Sequence, residues 1–263
     1  MPPTLILTPR YTADSRAMRA AAIAAGWDVF RLGGWRVPEE FAGRELAFYG
    51  EPLLAEVIAE TVPYALLEPS LDWLPALPAE YANRAVRLLP LGAARTTGGP
   101  AFFKPAGDKC FPAGVYPSGA GLPLAGELPD ETPVLWAEPV AWALEMRCFV
   151  LERQVATLSP YLRHGALAEA EDGSWPATDD ELAAANAFAA RVLGDARVGV
   201  PPAVTLDVGI IAGRGWSVVE ANAAWGSGLY GCDPAAVLPV LRRATMRRAD
   251  LTDEDRAWVL MRE

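Results

Sequence analysis

Glu220 and Asn222 stand two residues apart at the end of the run "SVVEAN", directly after Val218 and Val219. The start of this run is that of a buried strand, where an acid and an amide are out of place. Strand alternation puts both side chains on one face. The preceding run, "VTLDVGII" at residues 204–211, carries a single acid, Asp207. A hairpin closing on Gly213-Arg214, or on the four residues 212–215, pairs Ile211 with Trp216 and sets Asp207 directly opposite Glu220. Opposed positions hold their Cβ atoms about 4.5–5.5 Å apart, where like charges destabilise a sheet. A cation between the two acids removes the conflict. Asp207, Glu220 and Asn222 then form three hard-oxygen ligands, the donor type that suits Mg²⁺ when phosphates complete its shell. The alternative is a solvated face with ordinary surface acids, although Val208, Ile210, Ile211, Val218 and Val219 describe a buried hairpin. The pairing depends on register, because a slip of one residue sends every side chain to the other face.

A metal that carries phosphates calls for cations on another side. Lys104 ends the run "AFFKP", and Lys109 follows five residues later. In "EMRCFV", Glu145 and Arg147 share a face. Arg147 lies among Met146, Cys148, Phe149 and Val150, where a guanidinium requires an anionic partner. Glu145 can be that partner in a structural pair; an anionic ligand is the other reading. Each lysine taken alone reads equally well as a surface charge. Glu138 falls between the apolar run "VLWA" and Pro139. A connector of this kind offers backbone to a purine and a carboxylate to ribose hydroxyls.

Composition narrows the chemistry. The chain has 263 residues, 52% of them hydrophobic, enough for one large domain or two to three small lobes. A formal charge of −10 gives no electrostatic footprint for duplex nucleic acid. The single histidine, His164, excludes multi-histidine metal sites and confines Ser-His or Cys-His catalysis to that residue. Cys110, Cys148 and Cys232 are isolated and form no CxxC, which fits a reduced, cytoplasmic setting. The N-terminal apolar run is too short for a secretion signal, and no run of 18 apolar residues provides a membrane span.

These residues need elements to hold them. "TLILTP", the Ala-rich run ending at Gly26 and "WDVFRL" read as strand, helix and strand, a parallel β-α-β opening. "LAFYG", "PLLAEVIAET" and "YALLEP" continue it as strand, helix and strand. No GxGxxG loop supports a dinucleotide site in this lobe. The seam "GAARTTGGP" marks a boundary, giving an α/β lobe over 1–94 and a second module over 95–263. Within that module, residues 95–140 form a smaller lobe, 141–250 a larger one, and 252–262 a last helix. Thr178 and Glu181 form a capping box for a helix that stops at Gly194. Asp233 followed by Pro234 opens another helix.

Taken in order, "FFKP", "AEPV", "EMRCFV" and "DVG…VVEAN" resemble the ATP-grasp superfamily over about residues 95–245, in the manner of compact RimK-like or glutathione-synthetase-like carboxylate–amine ligases. The resemblance implies an ATP-grasp fold of two α+β lobes preceded by a small α/β lobe. It implies ATP and Mg²⁺ as cofactors, with Asp207, Glu220 and Asn222 holding the metal. Lys104 and Lys109 would meet phosphates or adenine, Glu138 the ribose, and Pro139 and Val140 would give backbone contacts. Glu145 and Arg147 would line the nucleotide site, and Arg147 with Lys104 would act in catalysis. Residues 105–121 depart from the family by lacking a clear multi-glycine phosphate flap.

The reaction so implied is ADP-forming ligation of a small-molecule or peptide carboxylate to an amine through an acyl phosphate. A Mg²⁺-ATP phosphotransferase on the same fold is the second reading, and a nucleotide- or peptide-binding module without turnover the third. Arg163 and His164, Arg10, and Ser227 and Gly228 in "WGSGLYG" are the candidate substrate contacts. A homodimer is common among similar folds.

Overall fold

A computed structural model of the chain describes residues 1–34, 36–41, 43–52, 55 and 62–259. The opening is the expected parallel unit. Strands β1 (Thr4–Leu7), β2 (Asp28–Arg31) and β3 (Leu46–Tyr49) form a sheet in the order β2-β1-β3, all parallel. The helix Ala13–Ala24 crosses from β1 to β2. Thr12 and Ser15 cap it reciprocally through backbone–side-chain bonds of 3.0 Å each. The helix expected over residues 52–61 lies largely outside the described residues. Strand β4 (Tyr64–Leu66) follows.

The second sheet is antiparallel. Its strands are β5 (Val86–Pro90), β6 (Ala101–Pro105), β7 (Gly114–Tyr116) and β8 (Pro133–Ala137), in the order β5-β8-β6-β7. The boundary expected at 94/95 cuts through this unit. β5 lies before the seam yet pairs with β8 after it, and the seam itself begins with a short helix, Leu91–Arg95. A strand joins the edge that completes its backbone hydrogen bonds, and that edge is remote in sequence.

The third sheet holds β9 (Trp142–Leu151), β10 (Gln154–Arg163), β11 (Ala166–Leu167), β12 (Ala203–Ile211) and β13 (Gly215–Asn222), in the order β11-β10-β9-β12-β13. Glu152 and Arg153 both take positive φ in the β9–β10 turn, +46° and +63°, the pattern that matches strand twist in a two-residue hairpin. One face of the sheet packs on the helix Asp179–Gly194, burying Met146, Cys148, Leu206, Val208 and Val218 against Phe188 and Val192. The Thr178–Glu181 capping box is present as expected. The other face meets the first sheet, with Phe149 and Ala203 in one core with β1 and β3.

The helix Pro234–Ala244, N-capped by Asp233, packs into that same core. Strand β14 (Thr245–Arg247) then pairs antiparallel with β4. The last helix is shorter than the expected 252–262. It covers Asp253–Arg256, after which Trp258 O accepts from Glu68 N at 2.8 Å and Val259 bridges to Leu67. Tertiary pairing with the strand end takes over from helix propensity there. Among the described residues no helix is long and apolar enough to cross a membrane.

Candidate active site

The β12–β13 turn is one residue tighter than expected. Ile211 pairs with Gly215 and Ile210 with Trp216. Gly213 and Gly215, at φ +76° and +88°, take left-handed conformations that allow this turn. Continued without a break, that register would set Asp207 against Val219. The ladder instead shifts between Asp207 and Val208: Val208 pairs with Val218 and Asp207 with Glu220. Val219 is therefore the extra residue of a β-bulge, and the bulge reverses the alternation of the strand. Trp216 and Val218 pack toward the helix Asp179–Gly194, and after the bulge Ala221 does so too. Glu220 and Asn222 emerge on the opposite face, beside Asp207 and Arg147.

Arg147 lies across from Asp207 on the neighbouring strand. Its Nε donates to Oδ1 at 2.9 Å and its Nη2 to Oδ2 at 2.7 Å. Asp207 is fully buried. Arg147 Nη1 donates to Gly228 O at 3.0 Å, and the rings of Tyr161 and Tyr230 flank the guanidinium at 5.2 and 4.7 Å. Burial disfavours the Arg147 cation, but Asp207 more than offsets this and lifts its pKa above the ordinary arginine value. Burial pushes the Asp207 carboxyl up against the pull of Arg147. The structural partner of Arg147 is thus Asp207 rather than Glu145. Glu145 instead accepts from Tyr161 Oη at 2.7 Å, and burial raises its pKa despite that bond.

Glu220 has its own cation. Lys104, at the end of β6, forms an ion pair with it across the gap between the second and third sheets. Asn222 Nδ2 donates to Glu220 Oε1 at 2.8 Å. Burial acts to raise the Glu220 pKa, but Lys104 and Asn222 together hold it below the ordinary glutamate value.

Around this pair lies a cleft of about 1070 Å³, of the size that holds a cofactor or substrate. Lys104, Lys109, Glu138, Pro139, Val140, Glu145, Glu220 and Asn222 all line it, with Phe102, Leu135 and Trp142 as apolar wall. Glu138 forms an ion pair with Arg214, which lowers its pKa, and accepts from Ala85 N at 3.3 Å.

Other expected substrate contacts lie elsewhere. Arg163 is held by Glu181 through bonds of 2.7 and 2.8 Å, fastening β10 to the start of the long helix. His164 sits in the following turn at φ +49°. Arg10 is exposed, 3.4 Å from Glu51. Ser227 and Gly228 adjoin the Arg147 end: Ser227 O accepts from Tyr49 Oη at 3.0 Å, and Gly228 O accepts from Arg147. Residue patterns alone did not single out Arg84, which lines the cleft and is bonded to the bulge. A lone arginine after Asn83 in a linker carries no periodic or motif signal.

The residues present fit Mg²⁺ in part. Glu220 and Asn222 offer a carboxylate and an amide oxygen at the cleft. Both Asp207 oxygens are engaged by Arg147, and among the described residues no group of three His, Cys, Asp or Glu could hold an ion. The site therefore suits a cation whose shell is completed by phosphate oxygens.

A family profile described as an ATP-grasp domain, the second family of its clade, matches residues 81–240. Among solved structures, the RimK domain protein ATP-grasp from Sphaerobacter thermophilus DSM 20745 is similar, with 16% identity, 91% of this chain and 98% of that chain covered, and a TM-score of 0.52. D-cycloserine synthetase DcsG is similar too, with 14% identity, the same coverages of 91% and 98%, and a TM-score of 0.55. No curated protein matches the sequence.

Proposed function

The chain belongs to the ATP-grasp domain family whose profile it matches, and on that premise we propose that it is an ATP-dependent ligase joining a carboxylate to an amine. The observation that carries this reading is the Lys104–Glu220 pair spanning a cofactor-sized cleft, with Asn222 bonded to the same carboxylate. A cation from one sheet and an acid from the other are the two partners that a metal-bound phosphate chain needs. Lys104 and Lys109 meet the phosphates. The backbone at Pro139 and Val140 borders the base, and Glu138 reaches a ribose by leaving Arg214. Glu220 and Asn222 hold Mg²⁺, and Asp207 joins them only by giving up part of its fork with Arg147. Bound there, Mg²⁺ neutralises phosphate charge.

The γ-phosphoryl group of ATP passes to a substrate carboxylate oxygen and ADP leaves. The amine nitrogen then attacks the acyl carbon, inorganic phosphate departs, and the nitrogen loses a proton. In such chemistry the protein chiefly positions groups and neutralises charge. Arg147, fixed by Asp207 and bordered by Gly228, presents a permanent cation on the acceptor side.

A thermal melt with ATP, with and without Mg²⁺, tests the nucleotide reading first. Ligand at about 100 times its Kd stabilises by about 2.7 kcal/mol, roughly 2–4 °C for a chain of this size. The expected result is a Mg²⁺-dependent rise that Glu220→Gln weakens, followed by ADP release that requires both an acid and an amine. No shift at millimolar nucleotide would overturn the reading, and ADP release without an amine, yielding a stable phosphoester, would replace ligation by phosphotransfer.

A further inference from the structure

The bulge at Val219 decides which face carries Glu220 and Asn222. A bulge also takes backbone groups out of the regular ladder, and these need other partners. Arg84 supplies them. Its Nη1 donates to Val218 O at 2.7 Å and its Nη2 to Val219 O at 2.9 Å. Nη1 also reaches Ala82 O at 3.0 Å and Ser217 Oγ at 3.3 Å. Ser217 is fully buried and donates back to Ala82 O at 2.5 Å. The Arg84 guanidinium lies 4.9 Å from the centroid of the Trp142 ring. One side chain thus ties the bulged strand to the linker before β5 and rests on the first residue of β9.

Its chemistry suits the task. A guanidinium presents several donors in a rigid fork, which can serve two successive carbonyls at once, whereas an ammonium is a single point. The location is costly for a cation: burial pulls the Arg84 pKa down to about 10, against the opposing pull of Glu220, Glu145 and Glu138. A desolvated charge with its donors on main-chain oxygens has a local geometric purpose.

We propose that Arg84 is a positioning residue that holds the Val219 bulge in place and so sets the face on which Glu220 and Asn222 meet Lys104. The proposal rests on the reading of Glu220 and Asn222 as the metal end of a nucleotide site. Without the clamp, β13 can regain a regular ladder by setting Val219 against Asp207. That slip turns Glu220 toward the helix core and away from the cleft.

The test compares wild type, Arg84→Gln and Arg84→Lys. ADP affinity is measured by calorimetry with and without Mg²⁺, and amide hydrogen exchange is followed along β13. The ratio of the two affinities isolates the metal end from any general loss of positive charge. Removing a group that orients a metal ligand costs about 10–100-fold in metal affinity. The expected result is a Mg²⁺-dependent gain at least about tenfold smaller in both variants, with faster exchange at residues 219–222. An unchanged gain in folded Arg84→Gln overturns the proposal. So does full recovery in Arg84→Lys, because charge rather than the fork would then be what matters. If Arg84→Gln does not fold, the lysine variant decides. If the wild type binds no Mg²⁺-nucleotide, the ligase reading falls, and exchange alone judges the clamp: wild-type protection at residues 219–222 in the variants sinks it.

Discussion

Arg147 and Asp207 face each other on adjacent strands and are joined by two hydrogen bonds, Nε to Oδ1 at 2.9 Å and Nη2 to Oδ2 at 2.7 Å. This fork changes how the opposed acids Asp207 and Glu220 are reconciled. Each has a cation of its own, Arg147 for Asp207 and Lys104 for Glu220. The positive charge demanded by two facing carboxylates is built into the protein from two different strands.

Asp207→Asn leaves a buried guanidinium short of its counter-charge. Breaking a buried pair from one side costs about 3–5 kcal/mol, and urea denaturation should show a loss of that order. The double variant Arg147→Met, Asp207→Leu should recover much of the stability, since a well-packed apolar pair avoids the desolvation cost. It should recover no ligase turnover. A double variant as unstable as Asp207→Asn would assign the loss to packing instead.

Lys104→Met separates folding from chemistry. The Lys104–Glu220 pair keeps about a quarter of each side chain exposed, and exposed pairs contribute about 0–1 kcal/mol. The melting temperature should therefore change little while ADP release is lost. Wild-type turnover in Lys104→Met would remove this lysine from the phosphate site.

Gly231→Ala tests the loop beside Arg147. Gly231 has φ +82°, and a Cβ there would lie 2.4 Å from Trp175 Cγ and 2.7 Å from Ser159 Oγ. Both strain and collision oppose the substitution. A loss of about 1–3 kcal/mol is expected, read by chemical denaturation. A neutral effect would show that residues 227–231 have room to shift.

Glu181 gives a pH dependence with a defined sign. Hydrogen bonds from Arg163 bring its pKa from 4.5 down to about 2, overcoming burial, with help from the backbone of Thr178. The folded state binds this proton less readily than the unfolded chain. Its contribution is complete above about pH 4.5 and fades as pH falls toward about 2. Solvent screens the pair, so Glu181→Gln should cost about 1 kcal/mol at neutral pH and flatten the acid limb of the stability curve. An acid limb identical to wild type would exclude this contribution.

Local signals were legible wherever neighbours in sequence are also neighbours in space. The Thr178–Glu181 box, the Asp233-Pro234 helix start and the β-α-β opening all follow from contacts a few residues apart. Arg163 and His164 show the opposite case. Their types suggested a bound carboxylate, but Glu181 occupies Arg163 from another element. The membership of β5 in the second sheet and the early end of the last helix likewise depend on partners distant in the chain.

By itself the sequence determined which chemical groups exist and in what order: a lysine ending one strand, Glu138 before a connector, an arginine inside an apolar strand, and Glu220 and Asn222 ending another. Only the tertiary structure decided that Arg147 takes Asp207, that Lys104 meets Glu220, and that Val219 bulges so the acid and the amide face the cleft. The physical reason is register. One extra residue exchanges the two faces of a strand, and whether it is accommodated depends on hydrogen-bond partners such as Arg84, which sequence spacing does not specify.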